Sequence, residues 1–274
     1  MLLNSFSYKS LFVLALAYLA LLGVIFLNTA IASNEFLSTD KEGSESAGEL
    51  FTNPTEDSDT PKGWSGDIEV GFILSTGNVD NTNATISVTA IHNKQPLKQT
   101  FTVGLFFAKN QGEKTAEQIS IDYKLDYAIN SQRYIFSLSA YHKDQFTNID
   151  NRFAEIIGYG HFLIKNKTHK LNSELGLGIR QTKYLDNTKK SKELTGYLAL
   201  HYKRKLTENT TLSEDFSTLS GNDNTFTELV SALEVNMTKM LSLSVKYTLN
   251  HNQTVQTGFE NLDTIMSINL VGDF

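Results

Sequence analysis

The 274-residue chain has no cysteine, three prolines and one tryptophan. Without cysteine there is no disulfide framework, no thiolate chemistry and no lipoprotein attachment site. Two of the prolines, Pro54 and Pro61, share one short stretch, and Pro96 sits among turn residues, so no extended segment is interrupted by a residue that cannot donate to a ladder. A basic surplus is missing as well. From Gly63 to Phe274 there are 21 bases and 22 acids, with no basic patch, so nucleic acid is not an expected partner. Long apolar runs are absent after Leu27, which leaves no further candidate for a membrane-spanning helix.

What is present begins at the N-terminus. Lys9 is the only charge in the first 34 residues, and Leu11 to Leu27 form 17 apolar or small residues. Ala30-Ile31-Ala32 follows with the small-x-small pattern of a signal peptidase site, so residues 1–32 read as a secretory signal peptide cleaved before Ser33. The alternative, an uncleaved anchor, has an apolar core short of the roughly 20 residues a span needs. Residues 33–62 carry eight acids against Lys41 and Lys62. Low hydrophobicity and net negative charge are expected to leave this stretch a disordered, solvated spacer.

From Trp64 onward the pattern has period 2. In "QISIDYKLDYAI", Ile119, Ile121, Tyr123, Leu125, Tyr127 and Ile129 share one face, while Gln118, Ser120, Asp122, Lys124, Asp126 and Ala128 share the other. Stepping by three and four from Ile119 meets Asp122 and Asp126, so a helix is excluded. Similar alternation over residues 64–76, 83–93, 99–109, 134–143, 171–183, 193–203, 241–250 and 263–274, and weaker alternation over 152–165, 211–218 and 226–237, gives twelve strands. In 134–143 the apolar set is Tyr134, Phe136, Leu138 and Ala140, taken as outward; in 152–165 "EIIGYGHFLI" is apolar on both faces. Strands of about ten residues, apolar on one side and polar on the other, behind a signal peptide describe an all-β fold: a transmembrane antiparallel β-barrel of bacterial outer-membrane type over residues 63–274. Closure is required because lipid cannot satisfy an open sheet edge. A secreted sandwich or lipocalin-like barrel is disfavoured, since charge recurs on the second face, which suits a wet lumen with few large apolar side chains.

Connections and aromatics fit that reading. If both mature termini are periplasmic, the inner connections are short ("KQPL", "NSQ", "TKM") and the outer ones longer ("NQGEKTA", "DQFTNID", "HNQTVQTGFEN"). Trp64, Phe101, Tyr127, Tyr134, Tyr202 and Phe274 then form a girdle at the periplasmic interface. The terminal Phe274, with Leu270 and Ile268 behind it, resembles the C-terminal signal recognised by barrel assembly machinery; Gly272 departs from that pattern. Outer-membrane lipids and the assembly machinery are therefore expected partners.

Candidates for a lumen-lining network are Asp122, Lys124, Asp126, Glu174, Arg180, Lys203, Glu234 and Lys246. Their mixed signs argue against a strongly selective pore. Leu125→Arg, on the lipid face, is expected to destabilise, and Lys124→Gln, on the lumen face, to be mild. Enzyme signatures are missing: no histidine is followed two residues later by serine, and there is no Gly-x-Ser-x-Gly elbow. His142 beside Asp144 is the nearest thing to a base and its orienter. No metal spacing is present, and no cofactor is expected. Asp122 and Asp126 lie roughly 13 Å apart along a strand, too far for a carboxylate dyad.

Trp64, Gly66, Gly71 and the run Thr76-Gly77-Asn78 with Asp80, together with residues 141–164 and "LGLGIR" at 175–180, resemble a family of salt-induced bacterial outer-membrane proteins. The resemblance implies the barrel and a link to salt or osmotic stress. It implies no defined activity. A narrow, weakly selective passage for ions or small solutes is the expected function, with a plugged structural barrel and then a hydrolase as alternatives.

Overall fold

A computed structural model describes residues 63–75, 81–110, 113–144, 149–184, 190–254 and 261–274. The expectations for residues 1–32 and 33–62 lie outside these. Twelve strands follow one another: β1 (Gly63–Ser75), β2 (Asn81–Lys94), β3 (Leu97–Asn110), β4 (Glu113–Ala128), β5 (Arg133–Asp144), β6 (Ile149–Lys165), β7 (His169–Tyr184), β8 (Lys190–Lys205), β9 (Thr210–Ser220), β10 (Thr225–Asn236), β11 (Leu241–Asn252) and β12 (Leu262–Asp273). Every neighbouring pair is antiparallel, and β1 pairs with β12, so the sheet closes on itself.

The seam between first and last strands is short, from Asp67 opposite Asp273 to Gly71 opposite Asn269. Phe274 extends it. Its amide donates to Gly66 O at 2.9 Å, and Gly66 N donates to its carbonyl at 3.0 Å. Its ring covers Gly66, where a Cβ would lie 2.7 Å from Phe274 Cζ. A small residue at 66 thus lets the terminal aromatic fold back over the seam.

The end of the barrel that holds Gly63 and Phe274, the near end, carries connections of two to four residues between β2–β3, β4–β5, β6–β7, β8–β9 and β10–β11. Asparagine shapes two of them: Asn130 Oδ1 accepts from the amides of Gln132 and Arg133, and Asn166 Oδ1 from those of Thr168 and His169. Such side-chain acceptors imitate a turn's own carbonyl. At the far end β4 already begins at Glu113, so most of "NQGEKTA", expected as loop, is strand.

Ile68, Val70, Phe72, Leu175, Leu177, Leu194, Met266, Ile268 and Leu270 are all exposed on the outer wall, as is the terminal Phe274. For a chain in water this would be an unstable surface. For a barrel in lipid it is the required one. One strand is inverted relative to the sequence reading. On β5, Tyr134 and Phe136 are buried inside while Ile135 is exposed outside. Tyr134 therefore does not belong to the outer girdle. Tyr202 pairs with outward Leu171 but is itself covered, with His169 Nδ1 3.0 Å from its hydroxyl. Trp64, Phe101, Tyr127 and Phe274 remain as exposed aromatics of the near end, and Trp64 stacks on His92 with centroids 4.8 Å apart. The ambiguity on β6 also has a cause. Ala154, Ile156 and Phe162 face in, Phe153, Ile157 and Leu163 face out, and a register shift between Phe162 and Ile164 moves the alternation by one. A bulge of this kind exchanges the faces beyond it.

Candidate functional site

Four glycines determine what the interior holds. Gly158 and Gly160 on β6 and Gly176 and Gly178 on β7 all lie on the inward face, Gly158 opposite Gly176 and Gly160 opposite Glu174. The strip they leave without side chains is filled from β5, where Tyr134 pairs with Gly160 and Phe136 with Gly158. A Cβ on Gly160 would sit 2.1 Å from Tyr134 Cζ, and one on Gly158 2.4 Å from Phe136 Cζ. Both rings are 2% exposed. With Ile156 and Phe162, and against Leu138, Tyr197 and Leu219, they build an apolar wedge on one side of the lumen. The expectation of few large apolar side chains inside is thus wrong for this sector. The inverted face of β5 and the glycines of β6 and β7 are one feature: rings fill the space that glycines leave.

A polar cluster lies on the wedge. Glu174, 1% exposed, accepts from the Tyr134 hydroxyl at 2.5 Å and from Lys124 Nζ. Asn172 Nδ2 donates to the same hydroxyl at 2.6 Å. Lys124 Nζ also lies 3.5 Å from Asp126 and over the Phe136 ring, 5.1 Å from its centroid. His201 stands between Glu174, at 3.8 Å, and Asp215, at 3.1 Å. Five strands, β4, β5, β7, β8 and β9, meet in this network. Buried ions need such pairing, because the desolvation of each is worth several kcal/mol.

All eight residues expected to line the lumen are on the inward side. Lys124, Asp126 and Glu174 come together in the cluster just described. Arg180, 1% exposed, is in a different one nearer the far end: its Nε and Nη2 fork onto Glu193 Oε1 at 2.9 and 2.6 Å. Lys246 reaches across β12 to Glu69 at 2.5 Å. Lys203 and Glu234 lie in each other's field, with Asp67 and Asp273 close by. Asp122 stands within electrostatic reach of Glu228, and both lie within reach of Tyr197. Outside, Ile268, Leu270 and Phe274 are exposed along the closing strand. Tyr134, Asn172, Tyr197, Glu193 and Asp215 were missing from the sequence candidates. For Tyr134 and Tyr197 the signal is the alternating glycines of "GYG" and "LGLG", which pair with them across the ladder.

Accessibility along the inner wall changes from end to end. On β2, Thr85 and Ser87 are half-exposed, whereas Thr89, Ile91 and Asn93 nearer the near end are buried. On β3 the change falls between Thr102 and Thr100, on β4 between Lys124 and Asp126, and on β11 between Lys246 and Ser244. Lys98, on the near-end stretch of β3, is 2% exposed. On these strands the inner wall, lined by serine, threonine and charge, is partly accessible towards the far end and buried towards the near end; on β7 and β8 the far-end Arg180, Thr182, Glu193 and Thr195 are buried as well. His142 and Asp144 make no isolated pair: Gln118 Nε2 donates to Asp144 Oδ2 at 2.9 Å, and His142 stands opposite Arg152. No group of three or more histidine or acidic residues able to hold a metal occurs among the described residues.

Residues 68–274 match a family described as "Protein of unknown function, DUF481". The uncharacterized protein YdiY of Escherichia coli (strain K12) is 22% identical over 203 residues, covering 74% of this chain and 80% of that protein. Among solved structures, the NanC porin superposes with a TM-score of 0.51 at 13% identity, over 76% of this chain and 98% of its own. An outer membrane channel from Pseudomonas putida F1 gives 0.49 at 11% identity, over 80% of this chain and 100% of its own. The likeness to the NanC porin is one of fold: a closed barrel of outer-membrane type.

Proposed function

This chain belongs to the DUF481 family of proteins of unknown function, and for this member we propose a narrow, weakly selective passage for ions or small solutes across a Gram-negative outer membrane. The observation that carries the reading is a partly accessible polar wall, which we read as a vestibule. Thr85, Ser87, Asp122, Glu228 and Lys246 are only half-buried on the inner faces of β2, β4, β10 and β11. The near end, with Trp64 and Phe274, is the periplasmic one, and Ile268, Leu270 and Phe274 form the signal read by the assembly machinery. Carboxylates outnumber cations where the wall is accessible, so the passage favours cations slightly. The salt-stress link rests on sequence resemblance, and transcript levels unchanged by raised osmolarity would remove it.

The test is conductance in planar bilayers under a salt gradient. A confined wall of low dielectric focuses the field of its charges on whatever passes. Asp122→Asn combined with Glu228→Gln is therefore expected to move the reversal potential towards anions. A conducting wild type whose reversal potential ignores these changes would show that the current runs elsewhere. A second reading is favoured by the buried near end, above all by Lys98: a structural barrel with a plugged lumen. It stands if no current flows. Hydrolysis is the weakest reading: Ser120 stands opposite His142 in the ladder, but no hydrogen bond joins them among the described contacts, and Arg152 faces His142 from the other side.

A further inference from the structure

The β9–β10 connection does not stand above the barrel. β9 ends at Ser220, opposite Gly196, while β8 continues outward for six residues to Lys190. The turn Gly221–Asn224 leans inward over the bare inner face of that extension. Two charges hold it there. Arg180 Nη1 donates to Leu219 O at 3.2 Å and Nη2 to Asn224 O. Glu193 Oε2 accepts from the Asp223 amide at 2.8 Å. The turn passes so close that a Cβ on Gly221 would lie 2.2 Å from the Glu193 carboxylate. Ser191 Oγ donates to Asp223, on the same side.

The other edge of the turn is tied to the opposite flank. Asn224 Nδ2 donates to Asn252 Oδ1 of β11 at 2.9 Å, and Asn224 Oδ1 accepts from the Thr254 amide at 2.9 Å. Just behind the turn, Phe226 of β10 faces in, and the Arg152 guanidinium of β6 lies 5.5 Å from its ring centroid. Strands four apart can make such a contact only through the lumen. Thus one four-residue turn is fastened to β7 and β8 on one side and to β11 on the other, with Arg152–Phe226 bridging beneath it.

We propose that Gly221–Asn224 is a strap across the far mouth of the vestibule, latched by the Arg180–Glu193 pair, and that this latch sets the size of what enters. The proposal rests on the passage reading above. Its chemistry is that of a charge-assisted clamp: two guanidinium N–H groups converge on one carboxylate oxygen, and the second oxygen fixes the strap's backbone. Loss of either charge removes the pair that orients the other and leaves the turn with only one side's charged contacts, Arg180 to the Leu219 and Asn224 carbonyls or Glu193 to the Asp223 amide.

Single-channel recording of the refolded full chain tests this, each variant first being checked for barrel formation by heat-modifiable gel mobility. Glu193→Gln and Arg180→Gln are expected to raise conductance at least two-fold and to admit larger organic cations. Arg180→Lys, which keeps the charge and loses the fork, should fall between. Because the chain has no native cysteine, Ser191→Cys with Asp223→Cys can be introduced into the Glu193→Gln background. Oxidation should then return conductance to the wild-type level, and a reductant should release it. A closed wild type that opens on Glu193→Gln would equally support the strap. If the wild type conducts and its reversal potential responds to Asp122→Asn with Glu228→Gln, yet Glu193→Gln, Arg180→Gln and the disulfide change nothing, the strap is overturned and the passage stands. If neither wild type nor latch variants conduct, both fall.

Discussion

Lys124 and Leu125 are adjacent in the chain and live in different media. Leu125 faces lipid, where an arginine near mid-membrane costs about 2–4 kcal/mol. Lys124 holds Glu174 and Asp126 inside. The sequence alone makes Lys124→Gln look mild, because a lumen position tolerates polar exchange. The network changes that expectation: removing one partner of a buried pair strands the other charge, at a cost on the order of 3 kcal/mol. Both Leu125→Arg and Lys124→Gln should therefore destabilise the barrel measurably in urea titrations from vesicles. Their signatures should differ. Lys124→Gln should be rescued in part by Glu174→Gln, whereas Leu125→Arg should not. Absence of that coupling would mean that Lys124 and Glu174 do not share the contact described.

The element scale shows why some of this was legible and some was not. Alternation places a strand and gives two faces, but it does not say which face is inside. On β1, β4 and β7 the second face carries charge, small polar groups or glycine, and the lipid side follows. On β5 it carries Ser137, Ser139 and Tyr141 against Tyr134, Phe136 and Leu138, and apolarity points the wrong way. The answer lies on other strands, in glycines 158 and 160, whose missing side chains make a place for two rings. Single-strand reading cannot see a vacancy across a ladder. The closing strand was readable because its signal is local: Ile268, Leu270 and Phe274 alternate to the last residue. Deleting Phe274 removes two backbone hydrogen bonds to Gly66 and the ring over it. Insertion in vitro should slow, and the heat-modifiable band should weaken. Wild-type yield and mobility after the deletion would contradict a sealing role for that residue.

At the scale of the molecule, length and period were enough for a closed twelve-stranded barrel, while the lumen's contents were not. The charged residues named from sequence do face inward, but they separate into several clusters because the glycine strips and the wedge divide the space. The fold is that of an outer-membrane barrel, and the sequence of residues 1–32 adds the expectation of export by a cleaved signal peptide. N-terminal sequencing of protein extracted from outer membranes should begin at Ser33; an intact Met1, or recovery from the soluble periplasm, would remove the export reading.

The short seam between β1 and β12 has a consequence in time. It joins segments from the two extremes of the barrel sequence, so its ladder is the most non-local in the molecule. Every other pair joins strands adjacent in the chain and can form as a local hairpin. Loop-closure entropy makes such non-local pairing slow. The barrel should thus assemble quickly into a curled open sheet and seal late, when Phe274 and the strand behind it meet Gly66.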